Sequence, residues 1–276
     1  MAKKRSGKKA TPTVTLPTKL SVPSSEIEDY ITMIFGLEKI GKTTLLSRFD
    51  DVFHAMFEEG GRALALHQRS IRSWSEWLQY LKLLEKDDTF GNVSLDTIDE
   101  AFEMCFDYVC RVEGFSHPAD AEYGKGWDAM YREFHRSIRR LTKVGKGIFF
   151  VSHARERTIK SRHGGEYDRI VPSMKNQARK VIEPLVDIWA YYYYDGDERW
   201  LQIVGDDLVA AGHRLEGRFL DKNTGEPLKA IPMGNSADEA YRNLTSAFNN
   251  ELALKGGGTK RAKKKVSRKK TKRRKS

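Results

Sequence analysis

The 276 residues, 39% hydrophobic and 11% aromatic, suffice for one sizeable α/β domain with appendages. The net charge of +11 is lopsided: residues 1–19 hold six Lys/Arg and residues 255–276 thirteen, both without an acid, which leaves 30 basic against 38 acidic residues in between. No apolar run approaches the roughly 18 residues of a membrane-spanning helix, so the sequence reads as a soluble, cytoplasmic protein with no membrane partner.

In chain order, Ile31 to Phe35 is a short apolar run that reads as a buried strand feeding a loop at Gly36. A helix is predicted from Lys42, continued by Leu45, Leu46, Phe49, Phe53 and Met56 until Gly60-Gly61 stops it. Ala63 to Leu66 reads as a second strand. A helix with Trp74, Trp77, Leu78, Leu81 and Leu84 on one face follows. A third strand, Asn92 to Leu95, ends at Asp96, and helices are expected from Asp99 to about Val112 and from Trp127 to Val144. Cys105 and Cys110 fall on different faces of the first of these, which leaves neither a zinc site nor a disulfide framework.

Gly147 to Ser152 is the clearest buried strand, and the polar stretch from His153 to Met174 reads as a mobile loop. Val186 to Tyr194 and Trp200 to Val204 flank Asp195-Gly196-Asp197, a hairpin signal, and His213 to Leu220 suggests another strand. The expected organisation is a basic disordered arm over 1–24, a core over 25–234, a helix over 235–254 and a basic disordered tail over 255–276. The fold class is α/β, a mostly parallel sheet flanked by helices with late antiparallel strands. Ligands of such sheets sit beyond the carboxyl ends of the strands, where Gly36, Asp96 and His153 all fall.

Gly36-Leu37-Glu38-Lys39-Ile40-Gly41-Lys42-Thr43 matches the Walker A pattern in full, between a strand and a helix as the mechanism requires. Its glycines let backbone amides from Glu38 to Thr44 wrap phosphates. Lys42 is the residue that reaches the β and γ phosphates of ATP, and Thr43 offers a hydroxyl to Mg²⁺. Asp96 suits a Walker B carboxylate on the same ion. The position after the third strand favours that metal role over the alternative, the N-cap of the next helix, in which case Asp99 is the fallback ligand. His153 faces the same crevice, as a γ-phosphate sensor or as a structural histidine.

These residues resemble the RecA-like ATPases encoded by bacteriophages, including the Rad-type single-strand annealing proteins. The likeness covers roughly residues 28 to 220 and rests on an ordered series. Gly36 to Thr44 comes first, then Leu95-Asp96-Thr97-Ile98-Asp99, Tyr123-Gly124-Lys125-Gly126-Trp127, Phe149 to Ala154, Val171-Pro172-Ser173 and Val186-Asp187. The resemblance implies a RecA-like core that binds ATP and Mg²⁺, self-associates, binds single-stranded DNA and assists annealing, recombination or replication in the host cytoplasm. A single-strand-binding protein is an implied partner. It makes Lys42, Thr43 and Asp96 the catalytic and metal residues and His153 the nucleotide sensor. The stretch with Arg155, Arg157, Lys160, Arg162 and Arg169 becomes a DNA-facing loop, with a solvated loop as the plain alternative.

Two departures from the family pattern bear on turnover. The carboxylate the family carries after its second strand is missing from Leu66-His67-Gln68-Arg69, and the Lys-x-Arg signature keeps only Arg214, which the resemblance brings toward phosphate. Weak hydrolysis follows from that reading.

The tail, with Lys263, Lys264, Lys265, Arg268, Lys269, Lys270, Arg273 and Arg274, has no aromatic residue to stack on bases. That favours binding of the phosphate backbone without sequence preference, against a solubilising or localisation run. A helicase accessory factor, loader or packaging factor, and a nucleotide-gated module without hydrolysis, are the alternative functions.

Overall fold

The computed structural model describes residues 16–160 and 164–254, centred on a sheet of ten strands among those residues. Strand β1 (Ile31–Gly36) is buried from its second residue onward, as a run flanked by strands on both sides and covered on both faces must be. It leads through the Walker A loop into α1 (Lys42–Leu46), then β2 (Val52–Met56) and β3 (His67–Ser70). Helix α2 (Trp74–Leu84) is capped by the Ser73 side chain, which accepts from the Glu76 amide. Strand β4 (Asn92–Asp96) and helices α3 (Ile98–Glu113) and α4 (Lys125–Thr142) follow.

The second half runs β5 (Gly147–Lys160), β6 (Glu166–Pro172), α5 (Asn176–Ile182), β7 (Ile188–Asp195) and β8 (Glu198–Gln202). It ends with β9 (Gly212–His213), β10 (Ala230–Pro232) and α6 (Ala237–Phe248). The main path of the sheet is β10-β8-β7-β1-β5-β4-β2-β3, parallel from β7 to β3 and antiparallel at β8 and β10.

Two cores sandwich this sheet. One face packs Met33, Phe35, Val93, Leu95, Phe150 and Trp189 against α2, α3, α4 and α5. The other packs Ile34, Phe149, Val151, Ala190 and Tyr192 against α1 and α6. Alternation along each strand sends successive side chains to opposite cores, which is why both are apolar. The expected mostly parallel α/β sheet with late antiparallel strands is therefore the observed one.

Several elements differ from expectation. The helix foreseen from Lys42 to Met56 stops after Leu46, and Asp51 turns the chain with φ 52°. The spacing of Phe49, Phe53 and Met56 imitates a helix, yet all five residues of Val52–Met56 are buried in a central strand. The true second strand is thus β2, and the stretch Ala63–Leu66 only approaches the edge strand β3. The polar stretch after Ser152 is no loop at its base: β5 continues to Lys160 and pairs antiparallel with β6 as an arm leaving the sheet. Strand β9 is two residues long, and α5 and β10 carried too little periodicity to be foreseen.

Candidate nucleotide site

The loop from Gly36 to Thr43 is built around two backbone requirements. Gly36 lies so close to β7 that a Cβ there would sit 2.3 Å from the Tyr192 carbonyl oxygen, and Gly41 has φ 108°, open to glycine at little cost. Glu38 and Lys39 are exposed on the loop, Ile40 is buried beneath it, and Thr44 is half-buried one turn on. The Lys42 ammonium donates to the carbonyl oxygens of Gly36 at 3.0 Å and Leu37 at 2.9 Å, across the mouth of the loop.

Thr43 Oγ1 donates to Asp96 Oδ2 at 2.5 Å, so the two oxygen ligands expected of a Walker pair meet. Among the described residues no group of three or more His, Cys, Asp or Glu could hold a metal by itself. A hydroxyl and one carboxylate at this spot fit a hard cation that completes its shell with phosphate oxygens and water, as Mg²⁺ does. The N-cap role falls to Thr97, whose side chain accepts from the Glu100 amide, which leaves Asp96 free for the Thr43 contact. Asp99 is engaged elsewhere, taking the Ser173 hydroxyl.

The residue that sequence reasoning missed is Glu58. It follows β2 by two positions, and the amides of Phe57 and Glu58 both reach the Asp96 carbonyl, at 2.7 and 3.3 Å. Its carboxylate accepts from Thr97 Oγ1 at 2.7 Å and faces His153 Nε2 at 3.0 and 3.1 Å. The acid thought absent near Gln68 therefore exists after the correctly located second strand. That correction removes the first of the two grounds for weak turnover and leaves the second, the incomplete Lys-x-Arg signature. Gln68 itself lies on the edge strand, bonded to the Gly61 carbonyl.

Burial lowers the Lys42 pKa, with Asp96 and Glu58 pulling the other way. Burial raises Asp96, with the Thr43 hydrogen bond opposing. The hydrogen bond between them holds Glu58 below the usual carboxylate range and lifts His153 above the usual imidazole range. The four groups Lys42, Asp96, Glu58 and His153 thus form one charge system at the ends of β2 and β4, on β5 beside Gly36 and at the start of α1. Such a system can bind phosphate and metal and can hold a water by its carboxylate.

Arg214 does not join it. It donates to the carbonyl oxygens of Pro184 and Val186 and pairs with Asp187 at 3.5 Å, beside the first residue of β7. Gly36 aligns with Tyr192, four residues further along that strand, so roughly 13 Å separates Arg214's end of the sheet from the loop. Its hydrogen bonds brace the turn into β7.

The arm carries the charges read as DNA-facing. Alternation and register put Arg155, Arg157 and Arg169 on one face with Tyr167, Arg157 directly opposite Arg169. Lys160 falls on the other face with Glu156, Glu166 and Asp168. Arg155 and Arg157 are exposed and touch Met174 O and Asn176 Oδ1. Arg162 and the tail residues Lys263, Lys264, Lys265, Arg268, Lys269, Lys270, Arg273 and Arg274 lie outside the described residues. Among the described residues no helix is long and apolar enough to cross a membrane.

A curated relative is the SPβ prophage-derived uncharacterized protein YorG of Bacillus subtilis strain 168, 27% identical over 144 residues that cover 50% of this chain and 45% of the relative. The chain thus spans about half the length of that protein. The model of the family described as AAA domain matches residues 28–215, a span that takes in Gly36 to Thr43, Glu58, Asp96 and His153. With the α/β sheet and the Walker geometry around it, that match means that the chain belongs to the AAA domain family, whose P-loop uses a nucleotide with Mg²⁺.

Proposed function

We propose that this chain is an Mg²⁺-dependent ATPase of phage DNA metabolism that binds single-stranded DNA and assists recombination, annealing or replication. The observation that carries the reading is the meeting of Lys42, Thr43, Asp96 and Glu58 at one end of the parallel sheet. The amides of Glu38 to Thr44 wrap the phosphates, and Lys42 leaves the Gly36 and Leu37 carbonyls to neutralise the β and γ oxygens. Thr43 and Asp96 would hold Mg²⁺, which would supply charge neutralisation on the transferred phosphoryl group. Glu58 orients the attacking water and takes its proton. His153 fixes the rotamer of Glu58.

The nucleic-acid part rests on the basic face of the arm and on the two basic termini. Arg157 pairs with Arg169 across the arm, the first bonded to Asn176 Oδ1 and the second to the Val209 carbonyl, and the two like charges on one face favour an anion there. Strand β5 runs unbroken from His153 to Arg155 and Arg157, which gives DNA on the arm a direct mechanical route to the nucleotide site. The prophage origin of YorG supports a phage setting, and self-association and a single-strand-binding protein remain part of this reading.

The test is ATP turnover with single-stranded DNA, double-stranded DNA and RNA, alongside nucleotide binding by the same preparation. Stimulation by single-stranded DNA is the expected result. Turnover indifferent to all three nucleic acids would favour a loader or packaging role, and binding without turnover a nucleotide-gated module.

A further inference from the structure

The phosphate and metal groups lie to one side of β1. Asp96 is two strands away on β4 and Glu58 follows β2, both beyond β5. A nucleotide whose terminal phosphate points toward that side must carry its nucleoside toward the other, over β7 and β8. Strand β7 is one strand spacing from β1, about 4.8 Å, and Gly36 aligns with Tyr192. Tyr193 and Tyr194 therefore continue past the strand end at which the phosphate loop begins.

Tyr194 shares the face of Tyr192, which belongs to the same apolar core as Ile40 of the loop and Leu45 and Leu46 of α1. It is 45% exposed, among the few large aromatic side chains left open in the described residues. Its ring is nonetheless held. Arg199, directly opposite on β8, sets its guanidinium carbon 5.4 Å from the ring centroid and donates Nε to the Tyr194 hydroxyl at 3.1 Å. The same guanidinium reaches the Asn235 carbonyl at 3.5 Å, which ties the pair to the segment leading into α6. An exposed tyrosine in a hairpin is ordinarily free to rotate; one backed by a fixed cation is a preformed stacking surface.

We propose that Tyr194, backed by Arg199, is the platform on which the base of the bound nucleotide stacks. The inference rests on the ATP-binding reading above and adds its base subsite. Asp195 and Glu198, the next pair along, fall on the opposite face of the hairpin and leave the ring face of Tyr194 clear of carboxylates. An aromatic face offers stacking to a base and no donor to a phosphate. Inorganic tripolyphosphate, which has no base, makes no use of it.

The experiment compares ATP and inorganic tripolyphosphate as competitors for a fluorescent ATP analogue on the full chain, with wild type, Tyr194→Ala, Tyr194→Phe and Lys42→Ala. Tyr194→Ala is expected to weaken ATP about ten-fold with tripolyphosphate unchanged, a loss in the range of one base-stacking contact. Tyr194→Phe keeps the ring and retains near wild-type ATP affinity. Unchanged ATP affinity in Tyr194→Ala, with tripolyphosphate binding still dependent on Lys42, overturns the platform alone. Equal loss of both competitors in Tyr194→Ala also overturns it. Wild-type binding of either competitor that survives Lys42→Ala overturns the phosphate reading, and the platform with it.

Discussion

His153 Nε2 stands 3.0 and 3.1 Å from the two carboxylate oxygens of Glu58, joining the central strand β5 to the loop after β2. The pair is only partly buried, with side-chain exposures of 27% and 37%, so its worth lies in orientation more than in stability. His153→Gln is expected to keep ATP affinity and to lower kcat by about ten-fold or more, because a loosened Glu58 misorients the water. Steady-state phosphate release beside a binding titration decides it. Unchanged kcat would remove His153 from the account.

Lys42 is buried and donates to two loop carbonyls. Lys42→Ala is expected to abolish ATP binding at millimolar nucleotide while leaving salt-sensitive DNA binding in place, since the arm and tail do not depend on the loop. Calorimetry for nucleotide and fluorescence anisotropy for labelled DNA measure the two separately. Loss of both together would mean that they form one site.

His54 sits inside β2, 2% exposed, and burial pushes its pKa down to about 4. A histidine held neutral by the fold contributes its full stability above its ordinary value of 6.5, and that stability is lost as pH falls toward about 4. Between pH 7 and pH 5 the loss amounts to about 2 kcal/mol. Urea unfolding at the two pH values, wild type against His54→Phe, isolates it. Equal slopes in both proteins would contradict the assignment.

The basic face of the arm and the tail contribute differently to DNA affinity. Arg157→Glu puts an acid opposite Arg169 and is expected to weaken single-stranded DNA and reduce its stimulation of turnover. Deleting residues 255–276 is expected to flatten the salt dependence and leave stimulation intact. Anisotropy across a salt series reads both. Stimulation lost on tail deletion and kept in Arg157→Glu would reverse the two roles.

Much of this was legible in sequence for physical reasons. Gly36 to Thr43 is a local motif whose glycines answer to local backbone needs, and strands such as Gly147 to Ser152 announce burial by composition alone. Asp96 was legible because a carboxylate ending an apolar strand has few uses. Glu58 was not, because Phe49, Phe53 and Met56 fall at helical spacing and only the pairing of β2 with β4 makes them a strand. The turn at Asp50-Asp51 was the signal available. Arg214 was misread for the converse reason: its position along the chain fits the family signature, while its register beside Ile188 turns it to the far end of the sheet. Register and partner choice are tertiary facts that periodicity does not encode.

The most direct test of the account is Glu58→Gln, with ATP affinity and single-turnover phosphate release measured on one preparation. The substitution keeps size and hydrogen-bonding capacity and removes the charge that takes the proton. Wild-type ATP affinity with turnover reduced by about a hundred-fold or more is the predicted result. Turnover equal to wild type would contradict it, and with it the claim that the carboxylate after β2 drives hydrolysis.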